Sequence, residues 1–471
     1  MACDALAAAF GQQVSYPGQL AYNQSQASFT STQEALLSPA CVIRPTCAQD
    51  VASIISTIVP GGCDFAVKGH GHAADGGFAN IDDGVTIDMT SLTMLSLSDD
   101  GAVVSIGAGS KWIDVYTYLD PYNVQVAGGR NGQVGVGGLM VGGGISHFSA
   151  RAGWSCDNVV NFEVALASGE LINANKSQNS DLWRALKGGG NNFGIVTRYD
   201  VATFAQGDIS VTLTMNDVSQ RSAVFDAFAN IANAPDFDPY TALAVEMYFN
   251  STSKLWIIAN EAVYTQPVPN PPVYDELVAI PSISSSNKIT TLPAYANSSA
   301  IPQTYWLYAS ATFAPSTSFM LETFDIWNNT FFPIEAAGGV IWFCHFETVP
   351  TVMTAYADET GGNVLGLSPK DGNGVAPRYY IVMLISAFWT DPTQTQAIQD
   401  AGKTALEKVR SAAKSKGVGW EFQYLNYAGG FQDVIKSYGP ENVEFLKKVS
   451  KKYDPDRVFQ ERVPGGFKLP A

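Results

Sequence analysis

The chain has 471 residues, enough for two or three domains at roughly 150 residues each. Apolar residues make up 46% and charged residues 15%, which excludes global disorder. Asp and Glu outnumber Lys and Arg 43 to 27, for a formal charge of −16, which disfavours a nucleic-acid partner and a polybasic membrane anchor.

No apolar run reaches the ~18 residues of a spanning helix. The start, MACDALAAAFGQQVSYPG, lacks a basic segment followed by a long apolar one, so it is not a signal peptide as it stands. Five N-x-[ST] triplets occur, at Asn23, Asn175, Asn250, Asn297 and Asn328. Cys3, Cys41, Cys47 and Cys63 crowd the N-terminus, while Cys156 and Cys344 stand alone. Four cysteines allow three pairings; Cys3–Cys41 with Cys47–Cys63 is the expected one, against four free thiols. An acidic, glycosylatable, disulfide-capable chain reads as secreted.

In chain order, VASIISTIV (51–59) has a helical period. FAVKG (65–69), VTIDM (85–89) and AVVSIGAG (102–109) read as short strands. FEVALASGELI (162–172) reads as two strands about a Ser-Gly turn. SDLWRALKGGG (180–190) reads as a helix with Ser180 as N-cap, stopped by glycines. Beyond residue 205 glycine thins. Strand-like runs follow (ISVTLTM, ALAVEMYF, LWIIANEAVY, YYIVMLISAFW), with helical patterns at 218–233 and 396–415 and a Pro-rich loop at 265–273. This predicts an antiparallel sheet with helices, a second α+β domain. PENVEFLKKVSKKY closes the chain as an amphipathic helix.

Three glycine clusters stand out. VKGHGHAADGG (67–77) follows a strand and suits a phosphate cradle; an ordinary turn is the plainer reading. Its His-x-His could chelate, but only four His exist and no acidic ligand set accompanies them, so no metal is expected. VGVGGLMVGGG (134–144) holds six Gly in eleven positions and is neither a dinucleotide fingerprint nor a nucleophile elbow. It implies close backbone approach to something flat, or a structural hairpin cluster. KGGGNNFGIVT (187–197) is the third.

Taken in order, (R/K)GxGH, VGVGG…GGG…DNV and (R/K)GGGxNFGIVT resemble the vanillyl-alcohol-oxidase/p-cresol-methylhydroxylase flavoproteins, in their berberine-bridge-enzyme-like branch. The closing YLNYAGGFQDVIKSYGPENVEFLKKVSKKYDPDRVFQ is similar to that branch's C-terminal signature. The resemblance is close over 1–205 and 420–471 and architectural between. It implies an α+β fold, with an FAD-binding domain from residues 1–205 and 420–471 and an inserted substrate domain over 206–419. It implies covalent FAD on His72, with Lys68, Gly69, His70 and Gly71 at the pyrophosphate. The family usually has Gly where His70 stands. A second, cysteinyl link is not expected, because Asn131 occupies that position. Gly135, Val136, Gly137 and Gly138 would line the isoalloxazine, and Val134, small, stands where oxygen access is gated. Gly142, Gly143, Asp157 and Asn158 would sit near the flavin or its ribityl chain. Gly190, Asn192, Gly194 and Ile195 would approach the adenosine, and Asn426 and Tyr427 the ring.

The implied chemistry is proton removal from a hydroxyl, hydride transfer to the flavin and reoxidation by dioxygen. Tyr424 is the candidate base, sharing a strand face with Asn426; its ordinary pKa near ~10 requires a nearby cation. Asp, Glu or Tyr of the inserted domain are alternatives. His147 and Arg151 read as a structural pair. His345 shares a face with Phe343 and Glu347 and reads as a satisfied core histidine. The expected protein is a monomeric oxidase of an alcohol in a carbohydrate or aromatic metabolite, with a small-molecule substrate and O2 as partners. Its rivals are a flavin dehydrogenase or oxidative cyclase with poor oxygen reactivity, and a non-catalytic flavoprotein.

Overall fold

The computed structural model describes residues 2–297, 302–331, 339–370 and 378–470. Strands β1 (Val14–Ser15), β2 (Cys41–Ile43), β3 (Phe65–Lys68) and β4 (Val85–Asp88) make a sheet in the order β1-β2-β4-β3, with β2, β4 and β3 parallel. Strands β5 (Leu95–Leu97), β6 (Val103–Gly107), β7 (Val159–Ala165), β8 (Leu171–Asn175) and β9 (Ile195–Ala202) make an antiparallel sheet, β5-β6-β9-β7-β8. Between these strands the apolar faces of Ala48–Ile58 and Trp112–Leu119 are buried. The C-terminal residues Leu446, Val458 and Phe459 belong to the same core as Ile54 and Phe65, so both chain ends build one unit.

The middle of the chain forms a single eight-stranded antiparallel sheet. Its strands are β10 (Ile209–Asp217), β11 (Thr241–Asn250), β12 (Leu255–Tyr264), β13 (Ser284–Thr290), β14 (Tyr305–Phe313), β15 (Ile341–Val349), β16 (Tyr380–Trp389) and β17 (Gly419–Trp420). Their order is β13-β10-β12-β11-β15-β16-β14-β17. Alternation decides the faces. Val245, Met247, Phe346, Cys344, Met383 and Ile385 enter a core shared with helices Arg221–Ala232, Thr317–Phe331 and Thr395–Ser415. The intervening Glu246, Tyr248, His345, Glu347 and Leu384 turn the other way, toward the first unit.

Three local expectations are corrected. Cys3–Cys41 is bonded, but Cys47 and Cys63 are free thiols. Helix Ala48–Ile58 stands between the latter two, and 11 residues of helix span about 16 Å, beyond the ~7 Å that a disulfide bridges. The N-cap of Ser180–Leu186 is Asn179, in a left-handed conformation, and Ser180 is the first helical residue. The run 134–144 is not a hairpin: Val136–Val141 winds into a short helix.

Candidate active site

One wall of the site is backbone. Strand β3 ends on Lys68, whose buried ammonium donates to Ser25 O at 2.7 Å and Ser28 Oγ at 2.6 Å, and lies 3.5 Å from Asp88. Despite burial, that ammonium holds Asp88 down to about 2. Lys68 thus ties β3 to Asp88 of β4 and to the helix end at Ser25 and Ser28, so its ammonium is committed away from a ligand. Gly71 has φ +67°, and a Cβ there would meet the Phe29 ring at 2.7 Å. The N–H groups of His70–Ala74 take no backbone partner among the described residues. A Cβ on Gly69 or on Gly138 would meet nothing within 4 Å, so space opens along both glycine segments.

The two histidines differ. His70 Nε2 donates to Gly109 O at 2.7 Å, and its ring lies against Gly135, whose Cβ would come within 3.2 Å. The His72 ring makes no hydrogen bond among the described residues and meets Trp306 edge-on at 5.4 Å. Burial pushes its pKa down to about 4, so at neutral pH it is an uncharged imidazole with a lone pair available. Val134 and Val136 anchor the second glycine segment by backbone bonds with Trp112 and Ser110.

Other predicted residues serve as frame. Gly142 is required because a Cβ would lie 2.1 Å from Asn426 Oδ1, and Gly143 takes φ +109°. Gly137 sits 3.3 Å from Ala108 O by the same measure. Asp157 accepts from Trp154 N and Asn363 Nδ2, and Asn158 donates to Ala152 O and Trp154 O. Asn192 binds Gly189 O and Phe467 O, fastening the C-terminal tail beside Gly190. Gly194 lets β9, which begins at Ile195, approach Val164.

The facing wall is side chains. Residues 425–427 form a tight helical turn rather than the expected strand. Tyr424 and Asn426 meet nonetheless: Asn426 Nδ2 donates to Tyr424 Oη at 3.1 Å, and Ile145 N at 2.9 Å. Tyr427 donates to Glu347 at 2.9 Å and accepts from Arg130 at 2.5 Å. Arg130 also pairs with Glu347 at 3.1 Å and approaches Glu261 at 3.8 Å. In the sheet register Glu246 lies opposite His345, and Ala244 stands between Glu261 and Glu347. His345 Nδ1 is 2.9 Å from Glu246. Burial opposes its charge, but Glu246 and Glu347 raise its pKa to about 9, so it is an ion, not a satisfied core histidine. Against the same penalty, Arg130 holds Glu347 at about 2.

His147 and Arg151 do not pair. His147 is 3.9 Å from Glu261, while Arg151 bonds Gln206 and stacks on Phe204. A small cleft opens between His147, Arg130, Glu261 and Glu347. Above the acids the sheet face turns aromatic, with Tyr248, Phe343, Phe388, Trp306 and Tyr308 in a chain of ring contacts ending at His72. Glu246, Glu261 and Arg130 went unnoticed in the sequence. Polar residues interrupting strands β11 and β12 were the available signal, but only the register shows that they converge.

A long, flat, phosphate-bearing group fits this geometry: two open glycine segments, free backbone donors, and an unbonded imidazole facing an aromatic wall. Residues 39–175 match a family model described as FAD binding domain. The FAD-dependent monooxygenase drtC of Aspergillus calidoustus is 33% identical over 471 residues, covering 98% of this chain and 88% of that relative. The fold is similar to that of 6-hydroxy-D-nicotine oxidase from Arthrobacter nicotinovorans, with TM-score 0.77 and 17% identity over 97% of each chain. Berberine bridge enzyme from Eschscholzia californica gives TM-score 0.77 and 15% identity over 100% of both chains. The protein is an FAD-linked oxidoreductase, and the chain belongs to the berberine-bridge-enzyme-like branch of the vanillyl-alcohol-oxidase/p-cresol-methylhydroxylase flavoproteins.

Proposed function

We propose that this protein is an oxidase that carries FAD covalently on His72 and oxidises a hydroxyl group of a carbohydrate or aromatic metabolite. The observation that carries this reading is the uncharged, unbonded His72 imidazole between open glycine segments and an acidic, aromatic sheet face. Bound flavin would accept hydride at N5 and return the electrons to dioxygen as hydrogen peroxide. Gly69, Gly71 and the His70–Ala74 amides would hold the phosphates, and the segment from Val134 to Gly138 would lie along the ring.

The proton has two candidate acceptors. Tyr424 receives two hydrogen bonds, which favour the phenolate, but burial and the Glu347 charge hold its pKa above the ordinary tyrosine value. Glu246 is a carboxylate on the same face; although burial opposes its charge, His345 keeps it below the usual range. A Tyr424 base predicts a rate that climbs into alkaline pH. A Glu246 base predicts a plateau from mild acid upward.

The first test is acid precipitation of the purified protein. Yellow pellet with flavin on the 65–80 peptide supports the reading; colour wholly in the supernatant sinks it. A second reading, transfer of one oxygen atom into product, is favoured by the name of the relative drtC. Isotopic dioxygen decides: label in peroxide alone supports the oxidase, label in product the monooxygenase. The Cys3–Cys41 bond and the exposed Asn23 and Asn297 support an extracellular, glycosylated protein. The Ser298 and Ser299 of the Asn297 triplet lie outside the described residues.

A further inference from the structure

Residues 29–34 form a strap that grips both walls of the site. Thr30 N donates to Gly71 O at 2.8 Å, immediately before His72. Beyond His72 the buried Glu34 carboxylate accepts from Gly77 N at 3.0 Å and Ala79 N at 2.6 Å. On the other side Thr32 N donates to Thr304 O at 2.7 Å, and Gln303 Nε2 donates to Phe29 O at 2.9 Å. Gln33 completes the link with two reciprocal bonds. Its Nε2 donates to Trp306 O at 2.5 Å, and its Oε1 accepts from Trp306 N at 3.0 Å. A side-chain amide thus pairs with the main chain of β14 as another strand would.

Trp306 is 1% exposed, and its ring meets His72, Phe388 and Tyr308. Its Nε1–H is buried without an acceptor among the described residues. The strap holds the loop before and after His72, and it also holds the strand that carries the ring against His72.

We infer that Gln33 and Trp306 are positioning residues for flavin attachment: the Gln33 amide fixes the Trp306 indole, and the indole fixes the His72 ring in the orientation that bonds the flavin. This rests on the reading of His72 as the attachment point. In that step a His72 ring nitrogen bonds the 8α carbon, the nitrogen and the carbon each give up a proton, and two electrons pass through the ring system to dioxygen, which leaves as hydrogen peroxide.

The test uses full-length purified protein supplied with FAD, reading total flavin, the flavin retained in an acid pellet, and the thermal midpoint. In Gln33→Leu, which removes both bonds at similar volume, the pellet fraction should fall at least five-fold while total flavin changes less than two-fold. Trp306→Leu should fall likewise. Trp306→Phe, which keeps the ring edge but not the N–H, should recover part of the loss. Equal pellet fractions in wild type, Gln33→Leu and Trp306→Leu overturn the inference and leave the His72 link standing. If total flavin and thermal midpoint fall in step with the pellet fraction, the strap is merely structural and the inference is also overturned. No pellet flavin in wild type overturns the His72 link itself, and the inference with it.

Discussion

The two walls of the site are made of different material. The wall formed by residues 69–77 and 134–144 is main chain, kept open by glycines at Gly69 and Gly138. The wall on β11, β12 and β15 is side chain: three carboxylates, a charged histidine and, reaching in from the Gly128–Gly132 stretch just before the second glycine segment, Arg130. Backbone donors are rigid and uncharged, so they suit a bound cofactor. Side chains on a register can be exchanged one at a time without disturbing the sheet, so they suit a substrate wall. Arg130 is the exception. It leaves the glycine-rich segment to neutralise the acids, and so couples the two.

Substitutions can break this contrast. The largest effect is expected at His72. His72→Ala should lose all acid-stable flavin, whereas His70→Ala, whose ring is committed to Gly109, should retain it; colour in the precipitate reads both. Next is Arg130→Met. It leaves the buried Glu347 with His345, 3.6 Å away, as its remaining cation, at a cost of up to about 3–5 kcal/mol by denaturant unfolding.

Paired glycine substitutions sharpen the contrast at smaller scale. Gly142→Ala drives a methyl into Asn426 and should cost about 1–3 kcal/mol. Gly138→Ala meets no atom and lies in a helix, so stability should hold or rise by up to ~1 kcal/mol while FAD affinity falls. Unfolding curves and FAD titration separate the two outcomes.

The smallest effect is in pH dependence. Glu347 is held at about 2 against its ordinary 4.5, so its contribution to stability is full above 4.5 and is lost as pH falls through about 2. His345 is raised to about 9 from 6.5, so its contribution is full below 6.5 and is lost as pH rises through about 9. The Glu347→Gln variant should show a shallower acid limb than wild type, measured as thermal midpoint against pH.

Much was written locally. Periods of two and near four place strands β3, β4, β10–β12 and β16, the helix Thr395–Ser415 and the helix Pro440–Tyr453, because burying one face leaves its spacing in the chain. The glycine clusters, in order, disclose the flavin-type fold, since backbone that must approach a ligand tolerates no Cβ. What the sequence did not disclose depends on partners far apart along it. Lys68, expected at the pyrophosphate, gives its ammonium to Asp88 and Ser25 instead. His345 reads as core until its strand is laid beside Glu246, and Cys47 and Cys63 look like a pair until a helix separates them. So the sequence by itself determined the fold, the cofactor and the choice of wall that glycine builds. Only the tertiary structure decided the ionic wall and the strap on His72, because a buried charge or hydrogen bond is set by the neighbour that satisfies it, and that neighbour can lie hundreds of residues away.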